Sequence, residues 1–473
     1  MRRPSGLAMD LAPLRESRDF RLLYGGFLGV VLGTLMTSVA VAVQVYDLTG
    51  SSLDVGLVSL ARALPLVAGL LVGGVLADRL DRRLLMLATR LPLVLVAGLL
   101  ALNALTPEPR LWVIYVATGL TGLFAGLGGP AMLAAIPALV GTERLAAAGA
   151  LTAASTQLAA VLGPALAGAL IAGPGLAACF LVDAAGFLVF SVALLFVRPL
   201  PPAPLPGGGT GAGSGERTRR TGMAGVRQAF ASVAEGVRFV RGHRLVVGLL
   251  LIDTAAMVFT MPQALYPVLA DTQFGGGPGL VGLLYAAPAL GALVGAATSG
   301  WTGRAGGHAL VGAVLLWGLS LTGFGLTSYL PAALALLALA GFGDLISETL
   351  RSALLQHGTP DALRGRVSSL WMVQATVSPA LGNAALGFLA ELTSARAAVV
   401  GGGLVCVVAA LAVAGAFPEL RRASLAAPAR PAAGAVRETA PEPAPEAAPG
   451  RASGSEKQCG GSRTASEDDH GAR

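Results

Sequence analysis

Residues 72–83 read VGGVLADRLDRR. Five charges, Asp78, Arg79, Asp81, Arg82 and Arg83, interrupt two apolar runs. Upstream, from Val55 to Ala77, Arg62 is the only ionisable residue, and downstream Leu84–Leu87 is apolar again. A helix needs roughly 20 apolar residues to cross the hydrocarbon of a bilayer, about 30 Å thick. The run before the charges has that length, so the charges read as a loop between two membrane spans.

The whole chain supports this reading. It has 473 residues, 54% hydrophobic and 12% charged, with a mean hydropathy of +0.71. A soluble protein is about 25% charged. So little polar surface cannot coat a water-soluble core, and a polytopic membrane protein is expected. The 65 glycines suit helices that pack closely within a membrane. A net charge of +7 on a soluble protein would suggest a nucleic-acid surface. Here the charges fall between apolar runs and report topology, so no nucleic-acid partner is expected. Lys457 is the only lysine, which leaves arginine to carry the orientation signal. Cys179 and Cys406 lie in apolar segments and Cys459 in a polar tail, so no disulfide framework is expected. The first apolar run is long enough to span, and is expected to serve as the membrane signal in place of a cleaved leader.

Twelve spans are predicted, near 22–46, 55–77, 84–105, 111–135, 146–171, 176–197, 245–270, 279–301, 308–328, 330–353, 368–390 and 396–417. Turn signals such as LTGSS, TPEP, AGPG and FGGGPG mark the joints. None of the runs alternates as a β-barrel strand would. Arginines cluster in one set of loops: Arg2 to Arg21, Arg79 to Arg83, Arg144, Arg198 to Arg220, Arg304, Arg364 and Arg366, Arg421 and Arg422. The opposite set holds little beyond Arg110 and Arg396. The positive-inside bias then puts both termini on the cytoplasmic side of the plasma (cell inner) membrane.

The fold class read from this pattern is an all-α membrane protein of two six-helix halves. Its expected divisions are a cytoplasmic N-terminal segment (1–21), a first half (22–197), a cytoplasmic linker (198–244), a second half (245–420) and a disordered tail (421–473). Within the linker, Met223, Val226, Phe230, Val233, Val237 and Val240 recur at helical spacing. They predict an amphipathic helix, lying on the inner membrane surface or packed on the protein. The halves repeat weakly. GLLVG (69–73) matches GALVG (291–295), and GPALAG (163–168) matches SPALG (378–382). Internal repeats of six spans are a transporter signature.

At this point the chain resembles the major facilitator superfamily. GVLADRLDRR is similar to that family's signature between its second and third helices. Gly74, Asp78, Arg79, Arg82 and Arg83 fall where the motif wants Gly, Asp, Arg and two basic residues, and Asp81 stands where Gly is usual. Within the superfamily, VGGVLADR, LNALTPEP, ALVGTERLAAAGALT, LYPVLAD, LLYAAPALGALVGAATSG and TPDALRGRVSSLW resemble the branch of enterobactin-type siderophore exporters. LRESRDFRLLYGGF resembles the wider drug- and macrolide-exporting branch. The resemblance implies a monomeric exporter, not an enzyme. It would move a small molecule by alternating access with proton antiport, driven by proton motive force without a cofactor. It also implies that Asp78 latches onto the start of the eleventh helix, near Ser368, when the inner gate closes. Arg82 and Arg83 would anchor the loop to lipid phosphates or acidic side chains. The alternative is that all five charges only set orientation. In the second half Gly300 takes the place of Asp78, so the latch is single.

Other positions carry weaker signals. Gly163, Pro164 and Gly168 partly match the antiporter branch's fifth-helix motif, with Ala167 replacing one glycine; close helix packing explains them equally well. No arginine of a fourth-helix motif occurs between Leu111 and Val140. Charges inside a membrane cost about 2.5–3.5 kcal/mol at a helix centre, which makes each a functional candidate. Asp253, Asp344 and Glu348 lie on spans that the resemblance assigns to the cavity, where a carboxylate can load and release a proton or meet a cation. Glu348 and Arg351 read alternatively as a structural ion pair. Asp183 reads as a hydrogen-bonding scaffold residue. Arg62 can meet an anionic cargo or snorkel to the outer surface. Gln44, Gln157, Trp371 and Gln374 are lining candidates that core packing also explains. The four histidines are scattered, so no metal site is expected, and no phosphate-binding loop of an ATP-driven pump occurs. A membrane sensor without transport activity is the reading from a different class.

Overall fold

A computed structural model describes residues 10–201, 238 and 240–425. Twelve long helices carry the fold: α1 (Arg18–Thr49), α2 (Ser52–Ala77), α3 (Arg82–Leu105), α4 (Leu111–Val140), α5 (Leu145–Ala172), α6 (Leu176–Leu195), α7 (Arg244–Phe259), α8 (Pro278–Thr298), α9 (Gly307–Leu326), α10 (Leu330–His357), α11 (Asp361–Leu392) and α12 (Ala395–Ala416). Eleven spans among the described residues are long and apolar enough to cross a membrane, and α7 counts among them through its extension to Thr272. The 32-residue α11 is the twelfth. Large apolar side chains such as Leu95, Leu102 and Trp112 point outward, at 76%, 62% and 61% exposure. An exterior of this kind suits lipid, not water.

Local chemistry explains the helix ends. Gly50, in the left-handed region (φ 65°), stops α1. The Ser51 hydroxyl accepts the Asp54 N–H and caps α2. Asp81 caps α3 by accepting the N–H groups of Arg83 (2.8 Å) and Leu84 (3.3 Å). This accounts for an aspartate where the family signature usually has glycine: the loop is short, and its last residue doubles as the next helix's cap.

Two boundaries differ from the sequence expectation. The seventh span does not run unbroken through 245–270. It stops at Phe259, passes through a 3-10 turn at Pro262–Leu265 and resumes as Tyr266–Thr272. Proline cannot donate within a helix, and a polar side chain from α11 satisfies the break: Asn383 Oδ1 accepts the Ala264 N–H at 2.9 Å. The eleventh helix begins at Asp361, about two turns before the predicted residue 368. Its polar first turns made it look like loop. The predicted amphipathic helix of 223–240 lies outside the described residues except at its end, where Val240 is helical and buried. Most of the linker, and the tail beyond Leu425, also lie outside them.

The repeated glycine motifs do the same work in each half. A Cβ at Gly69 or Gly73 would fall 2.4–2.5 Å from the carbonyls of Leu123 or Leu127, on α4. In the second half, a Cβ at Gly291 would meet the Ala338 carbonyl, and one at Gly341 the Pro288 carbonyl, so α8 and α10 touch backbone to backbone. Between the halves, α2 runs along α11 and α5 along α8. The loops between α2 and α3, α4 and α5, α8 and α9, and α10 and α11 share one end of the bundle, called here the arginine-rich end. The loops after α1, α3, α5, α9 and α11 share the arginine-poor end.

Candidate transport cavity and gates

A cavity of about 580 Å³ lies between the halves. Thr34, Thr37, Ser59, Arg62 and Thr118 line it from the first half, and Gln263, Tyr285, Pro379 and Asn383 from the second. The rest of its wall is mainly apolar, with Val41, Val45, Val55 and Val58 prominent. A few polar groups in an apolar wall, at this volume, are characteristic of a small-molecule site.

The arginine-poor end is sealed. A Cβ at Gly56 would lie 2.5 Å from the Asn383 carbonyl, and one at Gly387 would lie 2.5 Å from that of Ser52. The α5–α8 crossing is equally tight: Gly168 meets Gly279 and Gly282, and Gly282 meets the Pro164 carbonyl. Gly163 packs on Leu35 of α1. The GPALAG motif is therefore a contact motif at this end, and Ala167 is fully buried in it. A carboxylate completes the seal. Glu391, one residue before the end of α11, accepts the N–H of Ser52 at 3.0 Å, at the first turn of α2. The N-terminus of a helix carries about half a positive charge and favours such an anion.

The arginine-rich end is different. Asp78 is the C-cap of α2 and exposed, and it forms no ion pair among the described side chains. A Cβ at Gly74 would meet nothing within 4 Å. Among the described side chains Asp78 makes no hydrogen bond or ion pair to α11, and the start of α11 is at Asp361, not Ser368. Arg82 and Arg83 also find other partners than expected. Arg82 Nη1 donates to the Ala134 carbonyl of α4 at 3.0 Å, and Arg83 Nη2 to the Leu195 carbonyl at 2.8 Å. Leu195 is the last residue of α6, where carbonyls lack helical partners. These arginines tie the loop to the first half itself. Arg79 is exposed beside Asp78.

The intramembrane charges form two groups. In the second half, Asp253 (α7) and Arg351 (α10) are 0% and 1% exposed and form an ion pair at 2.7 Å. This corrects the expected pairing of Arg351 with Glu348: Glu348 is exposed, and the buried guanidinium turns across to α7. Gln374 of α11 joins the pair, its Nε2 lying 2.9 Å from Asp253 Oδ2 and from the Leu250 carbonyl. Asp344, one turn from Glu348, is half-buried, and its Oδ1 has no partner. Asp253, Asp344, Glu348, Arg351 and Gln374 all lie outside the lining of the cavity described above.

In the first half, Asp183 (α6) accepts the Thr37 hydroxyl at 2.8 Å and the Thr34 hydroxyl at 3.5 Å, both from α1. It has the scaffold hydrogen bonds expected of it. Arg62, on α2, lines the cavity, and its Nε has no hydrogen-bond partner. It does not snorkel to the surface. Ten residues separate it from the start of α2, about 15 Å at 1.5 Å per residue, further than its side chain reaches. Sequence reasoning passed over Arg90 of α3, which lies over the Phe190 ring at 5.7 Å with its own Nε unpartnered. The signal was there: it is a charge eight residues into an apolar span. Glu391 and Asn383 were also passed over, since nothing in a single sequence shows which helix end they meet. Gln44 is buried with its amide unpartnered, Gln157 is half-buried on α5, and the Trp371 Nε1 is buried without a partner. None of these three lines the cavity.

Twelve helices in two repeated halves, with a cavity between them sealed at one end, match a known pattern throughout. The model of the transmembrane secretion effector family matches residues 8–434. The chain belongs to that family, within the major facilitator superfamily. It is 37% identical over 413 residues to the enterobactin exporter EntS of Citrobacter koseri, covering 86% of this chain and 94% of that one. It is 35% identical over 423 residues to the enterobactin exporter EntS of Shigella boydii, covering 88% and 95%. Among solved structures it is similar to a POT family transporter in complex with a thioalcohol conjugated peptide, with a TM-score of 0.66 and 16% identity over 85% of this chain and 96% of that one. A POT family transporter in complex with 5-aminolevulinic acid gives a TM-score of 0.67 at 16% identity, over 85% and 97%. These likenesses to solved structures speak for the fold alone. The protein is a multi-pass membrane transporter of the major facilitator type.

Proposed function

We propose that this transporter exports a siderophore of the enterobactin type across the cytoplasmic membrane, by alternating access coupled to proton antiport. The arginine-rich end then faces the cytoplasm, as the positive-inside bias expects. The observation that carries the reading is the one-sided seal. Glycine contacts and the Glu391–Ser52 hydrogen bond join the halves at the arginine-poor end, while Asp78 stands exposed at the other. A cavity in this state is open to cargo from the cytoplasm. Closing there brings Asp78 toward the start of α11, and opening outward releases Glu391 from α2. The similarity to enterobactin exporters over nearly the whole chain supports the cargo.

The coupling site on this reading is Asp253. A buried ion pair holds α7 against α10 only while both groups are charged. Protonation of Asp253 releases Arg351 and lets the two helices shift, and deprotonation restores the pair. Inside-out membrane vesicles with an imposed proton gradient test this. Enterobactin uptake that follows the gradient, and that Asp253→Asn abolishes while gradient-free cargo exchange persists, is the expected result. Gradient-driven uptake undiminished in Asp253→Asn would remove Asp253 from the coupling. No uptake of enterobactin by a folded wild-type protein, with macrolide uptake intact, would replace the cargo.

A further inference from the structure

We infer that Arg62 is the anchor for an acidic oxygen group, a carboxylate or phenolate, on an otherwise apolar cargo. The inference deepens the exporter reading and rests on it only for the identity of the cargo.

The argument begins with charge. In the membrane interior of the first half, two guanidiniums, Arg62 and Arg90, face a single carboxylate, Asp183. Neither forms a salt bridge with it among the described residues. The oxygens of Asp183 are instead taken by Thr34 and Thr37. Arg90 lies against the Phe190 ring and away from the cavity lining. Arg62 alone of these charges both faces the cavity and lacks a hydrogen-bond partner for its Nε. A guanidinium keeps its charge in any protein environment, so it cannot relieve the cost of its position by losing a proton.

The surroundings fit an anion. Ser59 and Thr118 bring hydroxyl donors to the same wall. Arginine offers a planar fork of N–H groups that matches a carboxylate in two-point contact. The carboxylates of the second half, Asp253, Asp344 and Glu348, are outside the cavity lining, and among the described residues no acidic side chain lines the wall opposite Arg62. The remaining wall, with Val41, Val55 and Tyr285, suits an apolar or aromatic body. The cavity therefore selects an amphiphilic acid, its charged group on α2 and its body along α1 and α8.

The test uses the full chain in nanodiscs and two dyes of similar size and opposite charge, fluorescein (anionic) and rhodamine 6G (cationic), read by fluorescence anisotropy. Wild-type protein should bind fluorescein about tenfold more tightly than rhodamine 6G, and Arg62→Gln should lose about that factor for fluorescein alone. Arg62→Lys should keep part of the preference, since it keeps the charge and loses the fork. Fluorescein bound no better than rhodamine 6G, or bound as tightly by folded Arg62→Gln, overturns the inference. If Arg62→Gln does not fold, competition on the wild-type protein decides: 2,3-dihydroxybenzoate must displace fluorescein better than its methyl ester, and equal displacement overturns the inference. Vesicle transport separates this inference from the exporter reading. Enterobactin carried equally by wild type and Arg62→Gln sinks the anchor and keeps the exporter. Arg62-dependent acid binding without enterobactin transport keeps the anchor and sinks the cargo.

Discussion

The two halves bury their charges in opposite ways. In the second half, Asp253 and Arg351 close on each other at 2.7 Å with almost no exposure. In the first half, Asp183 is satisfied by hydroxyls and Arg62 is left facing the cavity. The pseudo-repeat thus copies the scaffold and not the electrostatics. The Gly69 and Gly291 contacts recur at equivalent places, because any helix pair brought that close needs a missing Cβ. Charge has no such duplicate, and on the proposed exporter function one wall of the cavity meets cargo while the other half's charges are kept for coupling.

Variants can break that contrast. The largest effect is expected from Asp253→Ala, which leaves a fully buried Arg351 without its counter-charge. Removing one partner of a buried pair costs about 3–5 kcal/mol. A thermal-unfolding assay in detergent should show a large loss, and Asp253→Leu with Arg351→Met should recover most of it. Asp183→Ala should cost less, since its oxygens are held by Thr34 and Thr37 and not by a guanidinium, and the cations left behind, Arg62 and Arg90, are half-buried where Arg351 is sealed in. A loss at 183 as large as at 253 would refute the contrast.

A second comparison, between the two ends of α2 and α11, yields smaller effects. Gly387→Val puts a side chain where a Cβ already falls 2.5 Å from the Ser52 carbonyl. Overpacking of this kind costs about 1–3 kcal/mol, and here it acts on the closed arginine-poor end alone. Spin labels at the exposed positions Leu48 and Thr393 should report a longer separation in this variant. Glu391→Gln should do the same more weakly. It removes a carboxylate worth about 0.3–1 kcal/mol at a helix N-terminus, enough to shift a two-state balance a few-fold. Asp78→Asn should leave the separation at these labels unchanged, or shorten it, because Asp78 has no ion pair among the described side chains in this conformation. An Asp78→Asn variant that opens the arginine-poor end would mean the latch has been assigned to the wrong state.

Much of this was legible in the chain. Spans, loops and repeats follow from the length of apolar runs and from where arginines interrupt them, which are properties of consecutive residues. The failures share a physical cause. Asp81 looked like a departure from a motif, and is a helix cap whose partners are two N–H groups in the first turn of α3. The seventh span looked continuous because Pro262 is apolar, and the break depends on Asn383 from another helix. Arg351 looked paired with Glu348 because they share a helix, and the partner proved to be on α7.

The sequence by itself determined the number of spans, their alternation and the asymmetric distribution of arginine. Each is set by the cost of placing polar groups in hydrocarbon, which acts residue by residue along the chain. Only the tertiary structure decided which carboxylate meets which guanidinium, which end of the bundle is sealed and which charge faces the cavity. Those depend on approaches of a few ångströms between helices far apart in sequence, where a missing Cβ or a turned side chain decides the contact.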